Sequence, residues 1–368
     1  MIRRGKLLKQ CITFYILGLA WFFLFPAVSL SSGELKPRGM FVDENAFLTT
    51  TVPFEKISHP STSSGQRNVT EMVDFFTSEG YCVHVDRNVF SFIVEPRNSP
   101  TGPEVSVLVF KLCGDIYPQW ILDIIVSLSH HLRASRWMSK SVLVLIVSAG
   151  TDSTSPPLAR WLSRYHTRPF IAGSMGFHNE SPMFYGLIRD ALVLDMQSCT
   201  PSSPDRPSAP ALPTVWPQGY ELAFIGANGQ LPNMDVISSL LSMQSRYISF
   251  RHDRAWDSLF GASSPVRVPS GWGDYMDHFR GLLSFCAGLF TGPDGWHSHF
   301  LHYNIDSMTL KPLTGDGDGT RTAKSRKVSK GGAHATLAHF LSVVISIVRI
   351  NSNLHGKCHC IYILAYTL

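Results

Sequence analysis

The sequence predicts an α/β fold with a mainly parallel central sheet flanked by helices and an N-terminal transmembrane helix. Short apolar runs typical of strands alternate along the chain with helical patterns. Two of these runs, Val105–Leu112 and Ser141–Ser148, are apolar almost without interruption, as expected for strands covered on both faces. Residues 11–30 contain no charge and span the roughly 20 residues that a membrane crossing requires.

The N-terminal pattern predicts the side of the membrane on which the rest of the chain lies. Residues 1–10 form a basic tail that carries Arg3, Arg4, Lys6 and Lys9, which favours a cytoplasmic N-terminus and a transmembrane anchor at 11–30. A cleaved signal peptide ending at the small residues Ala27-Val28-Ser29 is the alternative. Both interpretations bring the body of the chain into the secretory pathway, where Asn68 and Asn179 fit the N-glycosylation pattern.

The elements of the body follow from their periodicity. An extended stalk is predicted at 31–66, followed by a folded domain at 67–314. The predicted helices are Val69–Phe76, Pro118–Leu132, Pro157–Tyr165 and Asp274–Phe290. The predicted strands are Tyr81–Val85, Val89–Val94, Val105–Leu112, Ser141–Ser148, Ala191–Met196, Glu221–Ile225 and Leu301–Leu310.

Three stretches depart from this alternation. Thr200–Gly219 holds six prolines and is predicted to be an extended surface loop. Residues 315–332 are rich in Gly, Ser and Lys and are predicted to be a flexible basic loop. Within 333–368, Ala335–Val348 is predicted to be an amphipathic helix, at the membrane surface or against the domain, before a truncated tail.

Charge and cysteine content narrow the function classes. The formal net charge is +5, but the basic residues concentrate in the N-terminal tail and in 315–332, so the remainder is slightly acidic. A nucleic-acid protein needs a basic folded face, and this distribution argues against one. The seven cysteines are widely scattered and do not form the framework of a small disulfide-rich domain.

The most distinctive segment is a polar turn within Glu221–Asp235. A strand-like run ends at Gly226, and a helical pattern begins at Met234. Between them lie the polar and turn-forming residues Asn228, Gly229, Gln230, Pro232 and Asn233. We expect a rigid turn that is structural or faces a partner, in which Pro232 and Asn233 set the entry of the following helix.

The string Asn228–Asn233 resembles the GPI anchor attachment protein family, the membrane subunit of GPI transamidase. Weaker similarities are the span Trp21-Phe22-Phe23 followed by Asp43-Glu44-Asn45-Ala46, the triplet Cys113-Gly114-Asp115, and Trp296–Leu301 leading into Tyr303 and Met308-Thr309-Leu310. The resemblance covers roughly residues 10–312 with gaps. Family members continue with further membrane spans, whereas this sequence stops at Leu368.

The resemblance also implies a fold similar to that of di-zinc aminopeptidases, in which two zinc ions share five ligands and a glutamate activates water. Asp115, Asp195 and His297 match three of the ligands. The first histidine has no counterpart in Val105–Leu112, and Ser148-Ala149-Gly150 stands where the Glu-Glu pair belongs. The resemblance therefore implies no catalytic residue and no cofactor. It leaves open a residual zinc on the three matching residues, or fold residues that make ordinary hydrogen bonds.

The expected function is that of a non-catalytic subunit of the GPI transamidase complex in the endoplasmic reticulum membrane. The resemblance implies as partners the other transamidase subunits, including the cysteine-protease-like catalytic subunit, together with the GPI lipid and the membrane, but no nucleic acid. The alternatives are a secretory-pathway zinc metallopeptidase and a truncated product that does not assemble.

Overall fold

The structure is a computed structural model that describes part of the chain. The described residues are 2–31, 66–67, 69–86, 89–96, 104–113, 117–135, 137–138, 140–149, 156–171, 185–196, 219–233, 237, 275, 279, 283, 286, 293, 295–313, 340–349 and 351. The helices are α1 (Ile2–Ser31), α2 (Val69–Ser78), α3 (Gln119–Ala134), α4 (Pro157–Ile171) and α5 (His297–Leu301). A 3-10 turn occupies Ala227–Gly229, and residues 340–349 are helical.

The described strands form one large sheet and one short ribbon. The strands are β1 (Gln66–Arg67), β2 (Val83–Asp86), β3 (Val89–Val94), β4 (Glu104–Cys113), β5 (Tyr117–Pro118), β6 (Ser141–Ala149), β7 (Leu187–Asp195), β8 (Gly219–Ala223) and β9 (Asp306–Leu313). The ribbon pairs β1 with β5, and the sheet has the order β2-β3-β6-β4-β7-β9-β8. Neighbours among β6, β4, β7 and β9 are parallel, and the outer pairs are antiparallel. The mixed α/β fold with a mostly parallel centre is therefore confirmed.

Apolar side chains cover both faces of the sheet, because alternate residues of each strand point to opposite sides. On one face, β4, β6 and β7 pack against α2, α3 and the helix 340–349. On the other face, the same strands pack against α4 and α5, with Trp161 and Phe300 fully buried. This two-sided burial explains why the sequences of β4 and β6 are apolar almost throughout.

Most predicted elements lie where their periodicity indicated, and α2 is a good example. Tyr81 N donates to Phe76 O at 3.0 Å and Gly80 has φ +81, which is the glycine-dependent ending common in helices. Glycine reaches this left-handed conformation without the strain that a Cβ would add. The chain then reverses into the predicted hairpin of β2 and β3.

Several strand predictions were wrong at their boundaries, since β2 begins at Val83 rather than Tyr81 and β7 at Leu187 rather than Ala191. Residues 301–305, predicted as strand, are the end of α5 and a turn, because Asn304 adopts φ 59 and Ile305 N bonds to Phe300 O at 3.1 Å. The strand itself begins at Asp306. Similarly, β8 ends at Ala223 rather than Ile225, since the carbonyl of Ile225 bonds to His297 instead of a strand partner.

Several predicted segments lie wholly or mainly outside the described residues. They are the stalk except for its end residues Ser31 and Gln66, the loops Thr200–Gly219 and 315–332, and the tail after residue 351. Of the predicted helix Asp274–Phe290, the structure describes four residues, Tyr275, Phe279, Leu283 and Cys286, all of them helical.

The predicted transmembrane anchor coincides with α1 in position. The helix exposes large apolar side chains, including Phe14, Ile16 and Trp21. Phe279 stacks on Phe23 with ring centroids 5.5 Å apart, and Tyr275 Oη donates to Phe23 O at 2.8 Å. None of the helices in the described part of the chain has the length and apolarity needed to cross a membrane.

The helix 340–349, for which the sequence left two placements open, packs against the domain. Seven of its apolar side chains are buried in the core: Phe340, Leu341, Val343, Val344, Ile345, Ile347 and Val348. These side chains therefore belong to the same core as the sheet.

An ionic cluster fastens the end of this helix to the sheet. Its members are Glu104, Ser106, Lys140, Asp190 and Asn351. Lys140 Nζ donates to Asn351 O at 3.0 Å and lies 3.7 Å from Asp190 Oδ2 and 3.9 Å from Glu104 Oε2. Ser106 Oγ and Asn351 Nδ2 donate to the two Asp190 oxygens at 3.0 Å and 3.2 Å. Burial raises the pKa of Asp190, while the charge of Lys140 and the two hydrogen bonds act in the opposite direction.

Candidate functional site

The Asn-Gly pair at the centre of the polar turn has the backbone conformation of a tight hairpin turn. Asn228 has φ 57 and ψ 28, and Gly229 has φ 72. Positive φ at two successive central residues is the condition that favours Asn-Gly in type I′ turns. Gln230 N donates to Ala227 O at 3.2 Å, and Gly226 N donates to Gln230 O at 2.8 Å, which closes the turn. A tight, hydrogen-bonded turn therefore occupies this segment.

Three contacts fix the turn to α5 and β9. Gln230 Nε2 donates to Leu301 O at 2.7 Å, and Asn233 N donates to Asp306 Oδ1 at 2.9 Å. Gly226 is buried so closely that a Cβ there would lie 2.6 Å from Leu301 Cδ1. Pro232 is buried, whereas Asn228 is exposed. The turn thus has a fixed inner side and a free outer tip.

His297 forms the buried core of this arrangement. Its Nε2 lies 3.0 Å from Ile225 O, and its Nδ1 lies 2.9 Å from Thr309 Oγ1. A carbonyl can only accept, so Nε2 carries the proton and Nδ1 accepts from the threonine hydroxyl. Burial lowers the pKa of His297 to about 4, and the nearby charges of Lys311 and His299 add to this while the Ile225 bond opposes it. The imidazole is therefore neutral at physiological pH.

Gly295 permits the close packing of this histidine. A Cβ at this position would lie 2.7 Å from His297 Nδ1 and 2.8 Å from Thr309 Oγ1. Ser298 Oγ donates to Gly295 O at 2.9 Å, and Ser307 Oγ donates to His297 O at 2.8 Å. We call Gly226, Gln230, Gly295, His297 and Thr309 the turn joint, because together they hold the turn, α5 and β9 to one another.

The polar turn and Asp195, both singled out from the sequence, lie at different levels along β7 and β9. The turn lies beside Asp306, at the amino end of β9, whereas Asp195 is the last residue of β7. Asp190 pairs with Asp306 and Leu194 with Leu310, so Asp195 lies five residues farther along the strands, about 16 Å away at 3.3 Å per residue. Ligands of parallel sheets gather at the carboxyl ends of the strands. The turn is thus separate from the carboxylate matched to a metal ligand.

Asp195 is already neutralised by a cation of the chain itself. Lys111 Nζ lies 2.9 Å from Asp195 Oδ2, and both side chains are mostly buried. The same ammonium lies 4.8 Å from the ring centroid of Trp296, the residue before His297. A lysine in a strand that is otherwise apolar is a signal of such a partner, and the sequence-based prediction missed it.

Two of the three candidate metal ligands, Asp195 and His297, are held by protein partners in the structure. Both ring nitrogens of His297 have protein partners, and a metal on Asp195 would compete with the Lys111 charge. In the ranges that the structure describes, no three His, Cys, Asp or Glu side chains are grouped so that they could hold an ion. Asp115, Asn68 and Asn179 lie outside those ranges, so the zinc and glycosylation candidates remain predictions.

The sequence-based prediction also did not identify Thr309 or Gly295 as site residues. Both residues act through their contacts with the His297 imidazole. Thr309 donates a hydrogen bond to the ring from β9, and the Gly295 backbone packs closely against it because it carries no Cβ. The only local signal is Gly295 two residues before a histidine. Neither residue stands out by its type alone.

These features define a mixed α/β protein in which hydrogen bonds to α5 and β9 hold a polar turn against the sheet. Residues 85–332, more than half of the chain, match the family described as Gaa1-like, GPI transamidase component. The chain belongs to this family, and the resemblance identified from the sequence is confirmed.

Several solved structures are similar to the chain at low identity. Glutaminyl cyclase from Porphyromonas gingivalis is 11% identical, with a TM-score of 0.34, over 76% of this chain and 87% of that one. The LapA aminopeptidase of Legionella pneumophila is 8% identical, with a TM-score of 0.36, over 80% and 68%. The zinc aminopeptidase BSAP from Bacillus subtilis is 12% identical, with a TM-score of 0.29, over 71% and 49%. The chain spans 44% of the length of a similar Clostridium acetobutylicum protein. TM-scores this low do not establish a shared fold.

Proposed function

We propose that the chain is a non-catalytic subunit of the GPI transamidase complex and helps attach GPI anchors to proteins in the endoplasmic reticulum. Its membership of the Gaa1-like family carries this proposal. The turn joint supports a scaffolding role, because the groups that could do chemistry are used in holding the fold. His297 is neutral and bonded at both nitrogens, and Asp195 is paired with Lys111.

The partners in this proposal are the other transamidase subunits, including the cysteine-protease-like subunit that carries the chemistry, and the GPI lipid. The folded body acts on the lumenal side of a membrane-bound complex. The exposed tip at Asn228 suits a partner-facing role, since its rigid base fixes the direction in which it points.

Affinity purification from solubilised endoplasmic reticulum membranes tests the proposal. The tagged full chain is expected to recover the catalytic and other transamidase subunits at a constant ratio. Recovery of none of them would contradict the proposal and favour a product that does not assemble.

Zinc content separates this proposal from a metallopeptidase. The purified full chain is expected to hold far less than one zinc per molecule and to hydrolyse no peptide. About two zinc ions per chain with peptidase activity would overturn the non-catalytic assignment.

The lumenal location has its own test. We expect Asn68→Gln and Asn179→Gln each to remove one endoglycosidase-sensitive glycan in cells. A chain that carries no such glycan at either position would contradict the proposed location.

A further inference from the structure

A cleft lies at the opposite edge of the sheet from the turn joint. It has a volume of about 590 Å³ and is lined by residues 80–82, by Ile93, Glu95 and Pro96 at and just after the end of β3, and by the last turn of α3. Residues 80–82 lead directly into β2, the edge strand with which no other described strand pairs on its outer side. A segment lying along β2 would therefore reach the mouth of the cleft.

The floor of the cleft presents an unused hydrogen-bond donor. Tyr81 is 6% exposed, and its ring packs against Phe76 and Phe92 at centroid distances of 6.0 Å and 5.2 Å. Its hydroxyl is buried beside the Arg133 guanidinium and meets no hydrogen-bond acceptor among the described residues. A buried hydroxyl without an acceptor is costly, and a ligand oxygen would satisfy it.

The wall of the cleft supplies a positive charge. The Arg133 guanidinium carbon lies 5.6 Å from the Tyr81 ring centroid, and Arg133 forms no ion pair with any described residue. The neighbouring His130 already has a carboxylate partner, because its Nε2 lies 3.3 Å from Glu79 Oε2. Guanidinium and phenol donors together suit an oxygen acceptor that carries a negative charge.

The remaining charges favour a carboxylate over a phosphate. Glu95 lines the cleft, and Glu79 lies at its margin, where it contacts the lining residue His130. Among the described lining residues, Arg133 is the one cation without an ion pair, and it balances a single negative charge, whereas a phosphate dianion would meet two nearby carboxylates. Ile93 and Pro96 add an apolar wall that suits the carbon atoms of a side chain.

We propose that this cleft receives a carboxylate from an extended segment of a partner subunit that adds to the edge of β2. The proposal rests on the proposed function, which supplies the multisubunit complex. The outward backbone groups of β2 would bond the segment, as in other cases of strand addition. Val85, 39% exposed on this strand, would pack against the segment's apolar side chains.

Cys82 provides a reporter at this surface. Its thiol is free and exposed in the cleft wall. The test compares the full chain alone with the full chain in the complex purified from membranes, following N-ethylmaleimide labelling of Cys82 by peptide mass spectrometry. We expect at least tenfold slower labelling in the complex. Equal rates would overturn the inference while leaving the proposed function in place.

Charge substitution tests the ligand chemistry. Arg133→Glu is expected to lower recovery of the partner subunits at least tenfold, Tyr81→Phe several-fold, and Arg133→Lys less than either. Asp74→Lys, an exposed charge change on α2, is the matched control and should leave recovery unchanged. Thermal unfolding of each variant shows whether it is folded. Wild-type recovery by folded Arg133→Glu would overturn the inference, and a wild-type chain that recovers no subunit would overturn both proposals.

A photo-crosslinker at Val85 identifies the occupant directly. We expect the crosslinked partner peptide to contain an Asp, a Glu or a chain-terminal carboxylate near the attachment point. A crosslinked segment without a carboxylate, or crosslinking to lipid alone, would overturn the assignment of the ligand.

Discussion

The turn joint and the ionic cluster both fasten late segments of the chain to the sheet, but with different chemistry. The turn joint uses neutral donors and acceptors packed around two glycines. The ionic cluster uses Lys140 against Asp190 and Glu104, supported by Ser106 and Asn351. They meet where Asp190 pairs with Asp306 across β7 and β9. The first should therefore respond to changes of volume, and the second to changes of charge.

This difference follows from the cost of burial. A buried charge that loses its partner retains its full desolvation penalty. A buried neutral group that loses one hydrogen bond carries a smaller desolvation penalty. Close packing around glycine, in contrast, leaves no room for even one methyl group. The predictions below test this contrast in order of expected effect.

The largest effect is expected from Lys140→Met. The substitution leaves Asp190, which is 8% exposed, without its cation, and should lower the free energy of unfolding by about 3–5 kcal/mol. Urea unfolding of the full chain measures this. The double variant Lys140→Met/Asp190→Leu removes both charges and should recover most of the loss. A double variant as unstable as the single one would show that the ion pair is not the cause.

Acid should weaken the turn joint through His297. Its folded pKa of about 4 lies below the ordinary 6.5, so the unfolded chain binds more protons between these values. The stability is fully present above pH 6.5 and is lost as the pH falls towards 4, by about 3 kcal/mol. Asp190 has the opposite sign, because its raised pKa makes the folded state lose stability as the pH rises through that pKa.

The pH effect can be isolated by comparing wild type with His297→Gln. The difference between their unfolding free energies should shrink as the pH is lowered from 6.5 to 4. A difference that stays constant across this range would mean that His297 does not titrate as its surroundings require.

Gly295→Ala tests the volume sensitivity of the turn joint. The added methyl would lie 2.7 Å from His297 Nδ1, and the resulting displacement should cost about 1–3 kcal/mol. Gly18→Ala in α1 is the matched control, since its Cβ would meet nothing within 4 Å. Alanine there favours the helix by up to about 1 kcal/mol. Denaturant unfolding that shows equal effects at the two positions would contradict the close packing.

Thr309→Val should have a smaller effect. The substitution preserves shape but removes the hydroxyl that donates to His297 Nδ1, at a cost of about 1–2 kcal/mol. Thr309→Ser keeps the hydroxyl and should retain more of the stability in the same unfolding experiment. Equal losses in both variants would assign the role to the methyl group instead.

The sequence predicted most of the fold because its strongest signals are local. The nearly continuous apolar runs of β4 and β6 identified the centre of the sheet, and Gly80 identified the end of α2. The prediction was wrong at 301–305, because the apolar residues of α5 and β9 run together. Asn304, in its left-handed conformation, was the only boundary between them.

The site was less predictable, because its contacts join segments far apart in sequence. The pair Asn228-Gly229 predicted a tight turn, because both residue types tolerate the positive φ that such a turn requires. Nothing local indicated that His297 would bond Ile225 and Thr309, 72 and 12 residues away, rather than a metal. Lys111 was the one available clue, because a charge inside an apolar strand requires a buried partner such as Asp195.

The smallest effect is expected at the tip of the turn, where structure and partner contact can be separated. At φ 57, asparagine is tolerated better than alanine because its short polar side chain can hydrogen-bond to the nearby backbone. Asn228→Ala should therefore lower the free energy of unfolding by about 1 kcal/mol, whereas Asn228→Gly should leave it nearly unchanged. The side chain is exposed, so its loss removes no packing. If the tip faces a partner, Asn228→Gly should reduce recovery of transamidase subunits although its unfolding curve is unchanged. Wild-type recovery by this variant would mean that the Asn228 side chain contacts no partner and that its role is in the conformation of the turn.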